Sequence, residues 1–482
     1  MTLYIIGEIN MKKVLKFIFI FLCIHLICGS MWVNYYFGDV CGDVLLFHLI
    51  VPLDGVNNDT FINYFLLGIL PTIIFSILVL FLLKKVNKKK LFYSLFFIFS
   101  FIFAIVRLDL HTYISDQINS SDFIENNYVD VKDIKLEFPK EKRNLIYIFL
   151  ESMENTYTSY DNGGSNKNNL IPNLVNVRKE NISFSNTKKS GGALSLDGSS
   201  WTVAAMFSQT SGLPLKLNLS SNGLISLDEF MPGAVSIGEV LEEKGYQNYI
   251  LMGSDSDYGL RSNYFKQHGN YLIYDVNWAI DDGLMKEEDK VWWGFDDNTL
   301  FDIAKAQLLE IALEDEPFNY TILTVDTHFE DGYLSLDCEN KYDDKYSNVI
   351  LCNDRKVYEF LDWLEEQEFY DETTIVLVGD HLSMDRNYFN DVDDDYSRTT
   401  YNVFINSSVT TKNINNRLFS SLDMFPTTLA SLGVDIEGDR IALGTNLFSS
   451  RKTIIEEYGY DKVFLELNKR SNFYNNKFVS YE

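Results

Sequence analysis

TIVLVGDH, residues Thr374–His381, is a run of β-branched and apolar side chains that stops on a carboxylate and an imidazole. Apolar residues without polar alternation fit a strand buried on both faces, as in a parallel sheet covered by helices. A carboxylate and an imidazole at the end of such a strand are costly unless they pair or coordinate a metal. The pattern recurs outward from here. NLIYIFL (Asn144–Leu150) ends on Glu151, and Tyr320–Val325 ends on Asp326-Thr327-His328. Gln247–Met252 and Tyr401–Ile405 read as two more strands. Helical patterns lie between them at Thr202–Thr210, Ser236–Lys244, Asp297–Leu313, Lys356–Glu366 and Leu422–Leu432. Strands alternating with helices predict an α/β fold with a mostly parallel sheet, whose ligands bind outside the carboxyl ends of the strands.

A nucleophile is sought next. Gly191–Leu215 (GGALSLDGSSWTVAAMFSQTSGLPL) runs from a Gly/Ser-rich loop into the helix that begins near Thr202. A hydroxyl there has the free N–H groups and dipole of a helix N-terminus to hold an anion, and a metal nearby would lower its pKa. The competing assignment is that Ser200 or Thr202 only caps the helix. Residue types alone leave the two open.

The 482 residues carry 41 Lys plus Arg against 68 Asp plus Glu, a net charge of −27. The first 107 residues hold nine basic and five acidic side chains, leaving 32 against 63 for the rest. So acidic a surface repels polyphosphate backbones, and nucleic acid is excluded as a partner. Three apolar stretches, Val14–Val33, Phe61–Leu83 and Leu91–Val106, are predicted to cross a membrane, the 16-residue third one with help from its flanks. Lys12, Lys13 and Lys16 precede the first, and Lys84, Lys85, Lys88, Lys89 and Lys90 separate the second from the third. The loop Asn34–Thr60 has Asp39, Asp43, Asp54 and Asp59 but no Lys or Arg. This asymmetry places the N-terminus and the lysine turn in the cytoplasm and everything after Arg107 outside. Val44–Leu53, at ten residues, reads as interfacial or re-entrant. Met11 is an alternative start that leaves the topology unchanged. Cys338 and Cys352 enclose a 15-residue loop in the oxidising compartment, where a bridge is worth about 3 kcal/mol. Cys23, Cys28 and Cys41 are expected to be unpaired.

At these residues the sequence resembles the alkaline phosphatase/sulfatase superfamily and, within it, the phosphoglycerol transferases: lipoteichoic acid synthase and the transferase of periplasmic glucan modification. The matching blocks are NLIYIFLESMENTY at 144–157, SSWTVAAMFSQTSGLPL at 199–215, YQNYILMGSDSDYGLRSNYFKQHG at 246–269, WWGFDDNTLFD at 292–302, TVDTHFEDGY at 324–333, VGDHLSM at 378–384 and DMFPTTLASLG at 423–433. GDVLLFHLIVPLDGVN at 42–57 is similar to that family's membrane region.

The resemblance implies an alkaline phosphatase-like catalytic domain at 144–450, following a three-helix membrane domain at 1–107 and a linker at 108–143, with an appendage at 451–482. It implies metal ligands at Glu151, Thr202, Asp380 and His381, with Thr202 also the nucleophile. Arg261 falls on the phosphate-binding Arg, and His328 on the His that contacts glycerol phosphate. The Trp that lipoteichoic acid synthase has two residues before that Arg is Gly259 here. The C-terminal extension of the glucan enzyme is not matched, which leaves the acceptor open. The implied cofactor is one divalent metal, Mn²⁺ ahead of Mg²⁺ or Zn²⁺. The implied reaction moves glycerol phosphate from phosphatidylglycerol to an extracytoplasmic glycan or polyglycerol phosphate acceptor. A phosphoethanolamine transferase or a phosphodiesterase or sulfatase-type hydrolase of the same superfamily is the alternative. The arylsulfatase motif needs an Arg that SSWTVAA lacks.

Overall fold

The computed structural model describes residues 11–38, 40–51, 58–85, 87–216 and 229–479. Asp39, Leu53 and Asp54 of the expected outer loop, residues 480–482 of the appendage, and the side chain of Lys12 lie outside the described residues. The chain forms two compact units: residues 1–45 with 56–115, and residues 46–55 with 116–482.

Among the described residues of the first unit three helices are long and apolar enough to cross a membrane: Lys13–Phe37 (25 residues), Asp59–Lys85 (27) and Lys89–Arg107 (19). Each contains one of the expected stretches, and the third gains its length from Lys89, Lys90 and Arg107 at its ends. Leu22, Ile74, Ile77, Phe81, Ile98 and Ile102 are all more than half exposed. Side chains this apolar suit hydrocarbon as their solvent. The hydroxyls inside the helices are satisfied locally: Thr72 Oγ1 donates to the Gly68 carbonyl (2.7 Å) and Ser76 Oγ to that of Thr72 (2.6 Å).

The second unit is built on a six-stranded sheet. In chain order the strands used here are β1 (Leu136–Glu137), β2 (Asn144–Leu150), β3 (Gln247–Met252), β4 (Leu272–Tyr274), β5 (Phe318–Leu323), β6 (Thr373–Gly379), β7 (Asn402–Ile405) and β8 (Asp435–Ile436). The main sheet runs β4-β3-β5-β2-β6-β7, parallel except for β7, which pairs antiparallel with β6 at the edge. Residues Leu145–Leu150 of β2 and the whole of β6 are buried, as continuous apolar runs require. Phe149 lies beside both Leu323 and Val378. The carboxyl ends of β5, β2 and β6 therefore open side by side.

Boundaries shift where buried polar residues obscure the pattern. β5 starts two residues earlier than expected because Asn319, though buried, pairs with Asn248 and Tyr271 (2.9 Å each) inside the sheet. It stops at Leu323, after which Thr324 N bonds the Phe149 carbonyl and the chain leaves the ladder. The helix expected at Lys356–Glu366 is Lys345–Glu365, capped by Asp344. Its first half buries Asn348, Asn353 and Asp354, which breaks the apolar period that sequence reading relies on. The three-residue β4 was not expected at all.

The stretch expected as a linker packs closely. β1 pairs with β8, Val129 N bonds the Ala442 carbonyl (2.9 Å), and Asp130 meets Lys477 (2.6 Å).

Candidate active site

Two strand ends and one helix start bring four side chains together. Glu151 follows β2 and is 3% exposed; Asp380 and His381 follow β6 and are 1% and 2% exposed. The turns that carry them approach very closely: a Cβ on Gly379 would lie 1.8 Å from the Met153 carbonyl, so only glycine fits. Ser152, just past Glu151, has φ 52°, a left-handed conformation that a non-glycine residue holds at some cost. It is fixed by its N–H, which donates to Asp380 Oδ1 (2.8 Å). The His381 N–H donates to the same oxygen (2.7 Å). Asp380 Oδ2 has no hydrogen-bond partner among the described residues and faces His381 Nε2 at 3.3 Å.

Thr202 is the first residue of the helix Thr202–Ser211. The capping alternative fails: the N-cap is Trp201, with no side-chain cap bond, and Ser200 Oγ donates instead to the Asp197 carbonyl. Thr202 Oγ1 lies 3.4 Å from Glu151 Oε2 and 3.2 Å from His381 Nε2. Gln209, unremarked in the sequence, anchors this helix beneath the site. Its amide donates to the Gly379 and Asp380 carbonyls (3.2 and 3.1 Å) and accepts from Tyr147 (3.0 Å).

One ligand atom from each of Glu151, Asp380 and His381 falls within 4.8 Å of the others. His381 Nδ1 lies 2.9 Å from the Leu382 carbonyl and takes the hydrogen, so the Nε2 lone pair points into the cluster. Burial and the neighbouring Glu151 push Asp380 up to about 8. Glu151 stays below its usual range despite burial, because the fields of His381 and His328 outweigh it. His381 is held above its usual value: burial opposes this, but the Asp380 and Glu151 carboxylates prevail. Two buried carboxylates, one of them with an oxygen unpartnered among the described residues, and an imidazole lone pair form a donor set that fits a divalent cation.

Arg261 and His328 lie nearby and reach this cluster through their fields rather than by contacts among the described residues. Arg261 is 4% exposed, and its Nε and Nη2 donate to the Tyr258 (2.9 Å) and Asp255 (2.5 Å) carbonyls. His328 Nδ1 lies 2.6 Å from the Phe329 carbonyl, and its ring packs on Trp293 at 4.8 Å. Burial lowers its pKa while Glu151 opposes. Asp326 turns away to Lys356 (2.7 Å), and Thr327 Oγ1 donates to the Glu151 carbonyl (2.5 Å). Cys338 and Cys352 are bridged, with Cα atoms 5.5 Å apart, and Cys23, Cys28 and Cys41 form no disulfide among the described residues.

The mostly parallel sheet carries these groups at its strand ends. The chain belongs to the Sulfatase family, whose sequence pattern matches residues 143–434. Phosphoglycerol transferase I of Salmonella typhimurium is 31% identical over 255 residues, 51% of this chain and 32% of that protein, so the match spans about a third of the relative's length. The enzyme of the same name from Salmonella agona matches to the same extent. A protein of the alkaline phosphatase superfamily from Vibrio parahaemolyticus shares the fold with TM-score 0.51 at 17% identity, over 70% of this chain and 79% of that one. The integral membrane lipooligosaccharide phosphoethanolamine transferase A from Neisseria meningitidis does so with TM-score 0.52 at 15% identity, over 89% and 85%.

Proposed function

We propose that this protein is a membrane-anchored phosphoglycerol transferase that moves glycerol phosphate from phosphatidylglycerol to an extracytoplasmic glycan or polyglycerol phosphate acceptor. The observation that carries the reading is the approach of Thr202 Oγ1 to Glu151 and His381 at the ends of β2 and β6. The phosphoglycerol transferase I relatives support the donor class. In this reading residues 1–107 are the membrane domain, 108–143 the linker and 144–450 the catalytic domain, which faces outward. Residues 451–482 are a C-terminal appendage.

Glu151, Asp380, His381 and Thr202 would hold one divalent cation, Mn²⁺ by family resemblance. Such an ion supplies Lewis acidity to the threonine hydroxyl and to a phosphoryl oxygen. Thr202 Oγ attacks the phosphorus of the donor; the bond to the diacylglycerol oxygen breaks, leaving glycerophospho-threonine. The proton that Thr202 gives up as it attacks passes to the departing alkoxide, and His328 is the relay that the site offers. Arg261 balances the phosphate charge. An acceptor hydroxyl then attacks the same phosphorus, the bond to Thr202 Oγ breaks, and the acceptor's proton passes to Thr202. The membrane unit keeps the enzyme beside the lipid it consumes.

The test is to incubate the purified full chain and Mn²⁺ with phosphatidylglycerol labelled in its head group, and in parallel with phosphatidylethanolamine. Diacylglycerol release from phosphatidylglycerol, with label on Thr202 and then on an added glycan, is expected. Release from phosphatidylethanolamine alone, or label found only as free glycerol phosphate, would overturn the assignment in favour of a phosphoethanolamine transferase or a hydrolase.

A further inference from the structure

We propose that Arg398 is a positioning residue for the cation site, acting through Glu154 to hold the Glu151 turn and the Asp380–His381 turn in register. The inference rests on the reading that Glu151, Asp380 and His381 bind a divalent cation.

Parallel pairing of β2 with β6 ends at Leu150 and Gly379, one residue short of the ligands on each side. Beyond that pair the Asp380 N–H still reaches the Leu150 carbonyl (3.2 Å) and the Ser152 N–H reaches Asp380 Oδ1 (2.8 Å), and a further tie encloses both turns from outside. Glu154, three residues past Glu151, is 0% exposed, and its carboxylate accepts from Arg398 Nε (2.8 Å) and Nη2 (2.5 Å) in a two-pronged pair. The same carboxylate accepts the N–H of Ser383 (3.1 Å), two residues past His381, and Arg398 Nη2 also donates to the Ser383 carbonyl (2.8 Å). Ser383 is thus gripped at both of its backbone groups, one by each member of the pair. The Thr156 hydroxyl donates to Glu154, and the Asn155 N–H bonds the Thr399 carbonyl (2.9 Å), so the segment carrying Arg398 is fastened to the Glu151 turn as well. The guanidinium lies 3.7 Å from the centre of the Phe389 ring. A buried ion pair is by itself weak evidence of stability. The distinguishing feature is the connectivity, because this pair closes a ring of hydrogen bonds around the two turns that bear the cation ligands. Partners bonded directly to a metal ligand typically change its affinity by about 10–100-fold when lost, and Arg398, which reaches the ligands through Glu154 and Ser383, is expected at the lower figure.

The experiment uses the full chain in detergent and compares wild type with Arg398→Lys, Arg398→Met and the control Glu151→Gln. Mn²⁺ affinity is measured by titration of the free-ion EPR signal, the bound-ion line shape is recorded, and heat unfolding is followed in parallel. Arg398→Lys keeps the charge but loses the fork, and should fold. The expected result is about a 10-fold weaker Mn²⁺ affinity for Arg398→Met and a smaller loss for Arg398→Lys, with an altered line shape. Turnover should recover at high Mn²⁺. Wild-type affinity and line shape in both Arg398 variants, with only the unfolding temperature lowered, would reduce the pair to a fold-stabilising role and overturn the proposal. If Glu151→Gln binds Mn²⁺ as tightly as wild type, the cation reading itself falls, whatever Arg398 does.

Discussion

Removing the Lys356 ammonium tests the electrostatics beneath the site. Lys356 Nζ, 2% exposed at its side chain, donates to Asp326 Oδ2 (2.7 Å) and to Ser335 Oγ (2.7 Å), and lies 4.0 Å from Asp296. Asp297 sits alongside, accepting the Val325 and Asp326 N–H groups (2.8 and 3.2 Å) and the Asn353 amide (2.8 Å). Lys356→Met keeps much of the stem and leaves these carboxylates without their cation. Stripping one member from a buried pair costs about 3–5 kcal/mol. That cost depends on pH. Burial already pushes Asp326 up to about 6 with Lys356 opposing, and without the ammonium it rises further. A carboxyl whose folded pKa is raised contributes stability below its unfolded value, near 3.9, and loses it as pH climbs through the folded value. In wild type the loss is largely complete by neutrality; in the variant it continues to higher pH. The variant's deficit should therefore approach the full ~3–5 kcal/mol at alkaline pH. It should shrink at acid pH to roughly the 1–2 kcal/mol of a lost hydrogen bond. Denaturant unfolding of the full chain in detergent, at pH 5 and pH 8, measures both. Adding Asp326→Asn should recover part of the loss at pH 8 through non-additivity. An equal deficit at both pH values, or none at pH 8, would refute the reasoning.

Other outcomes can be checked directly. Thr202→Ala should abolish covalent labelling by donor lipid while most Mn²⁺ binding survives on the other three ligands, and Thr202→Ser should retain some label; mass spectrometry locates it. Cys338→Ser should destabilise the chain by roughly 3 kcal/mol in denaturant unfolding, and mapping without reductant should find Cys338 linked to Cys352. Protease added to intact spheroplasts should remove residues beyond about 110, whereas full protection in sealed cells would reverse the orientation read from the lysines.

Much of this protein was legible from local chemistry. The apolar runs Asn144–Leu150 and Thr373–Gly379 specify buried strands because nearly every side chain in them prefers the interior, and the residues that halt them are the ones the site uses. The apolar helices of the first unit follow from length and hydropathy alone. Polar residues buried far apart in sequence were not legible. Glu154, Gln209, Asn353 and Lys356 look like ordinary surface residues along the chain. Each is affordable inside only because a partner from another element meets it: Arg398, the Gly379 carbonyl, Asp297 and Asp326 respectively. The contacts of the stretch read as a linker were not legible for the same reason, since Asp130 and Val129 are satisfied by Lys477 and Ala442, more than 300 residues away. Burial of an apolar side chain is decided by the side chain itself, whereas burial of a polar one is decided by its partner, and the partner is set by the tertiary fold.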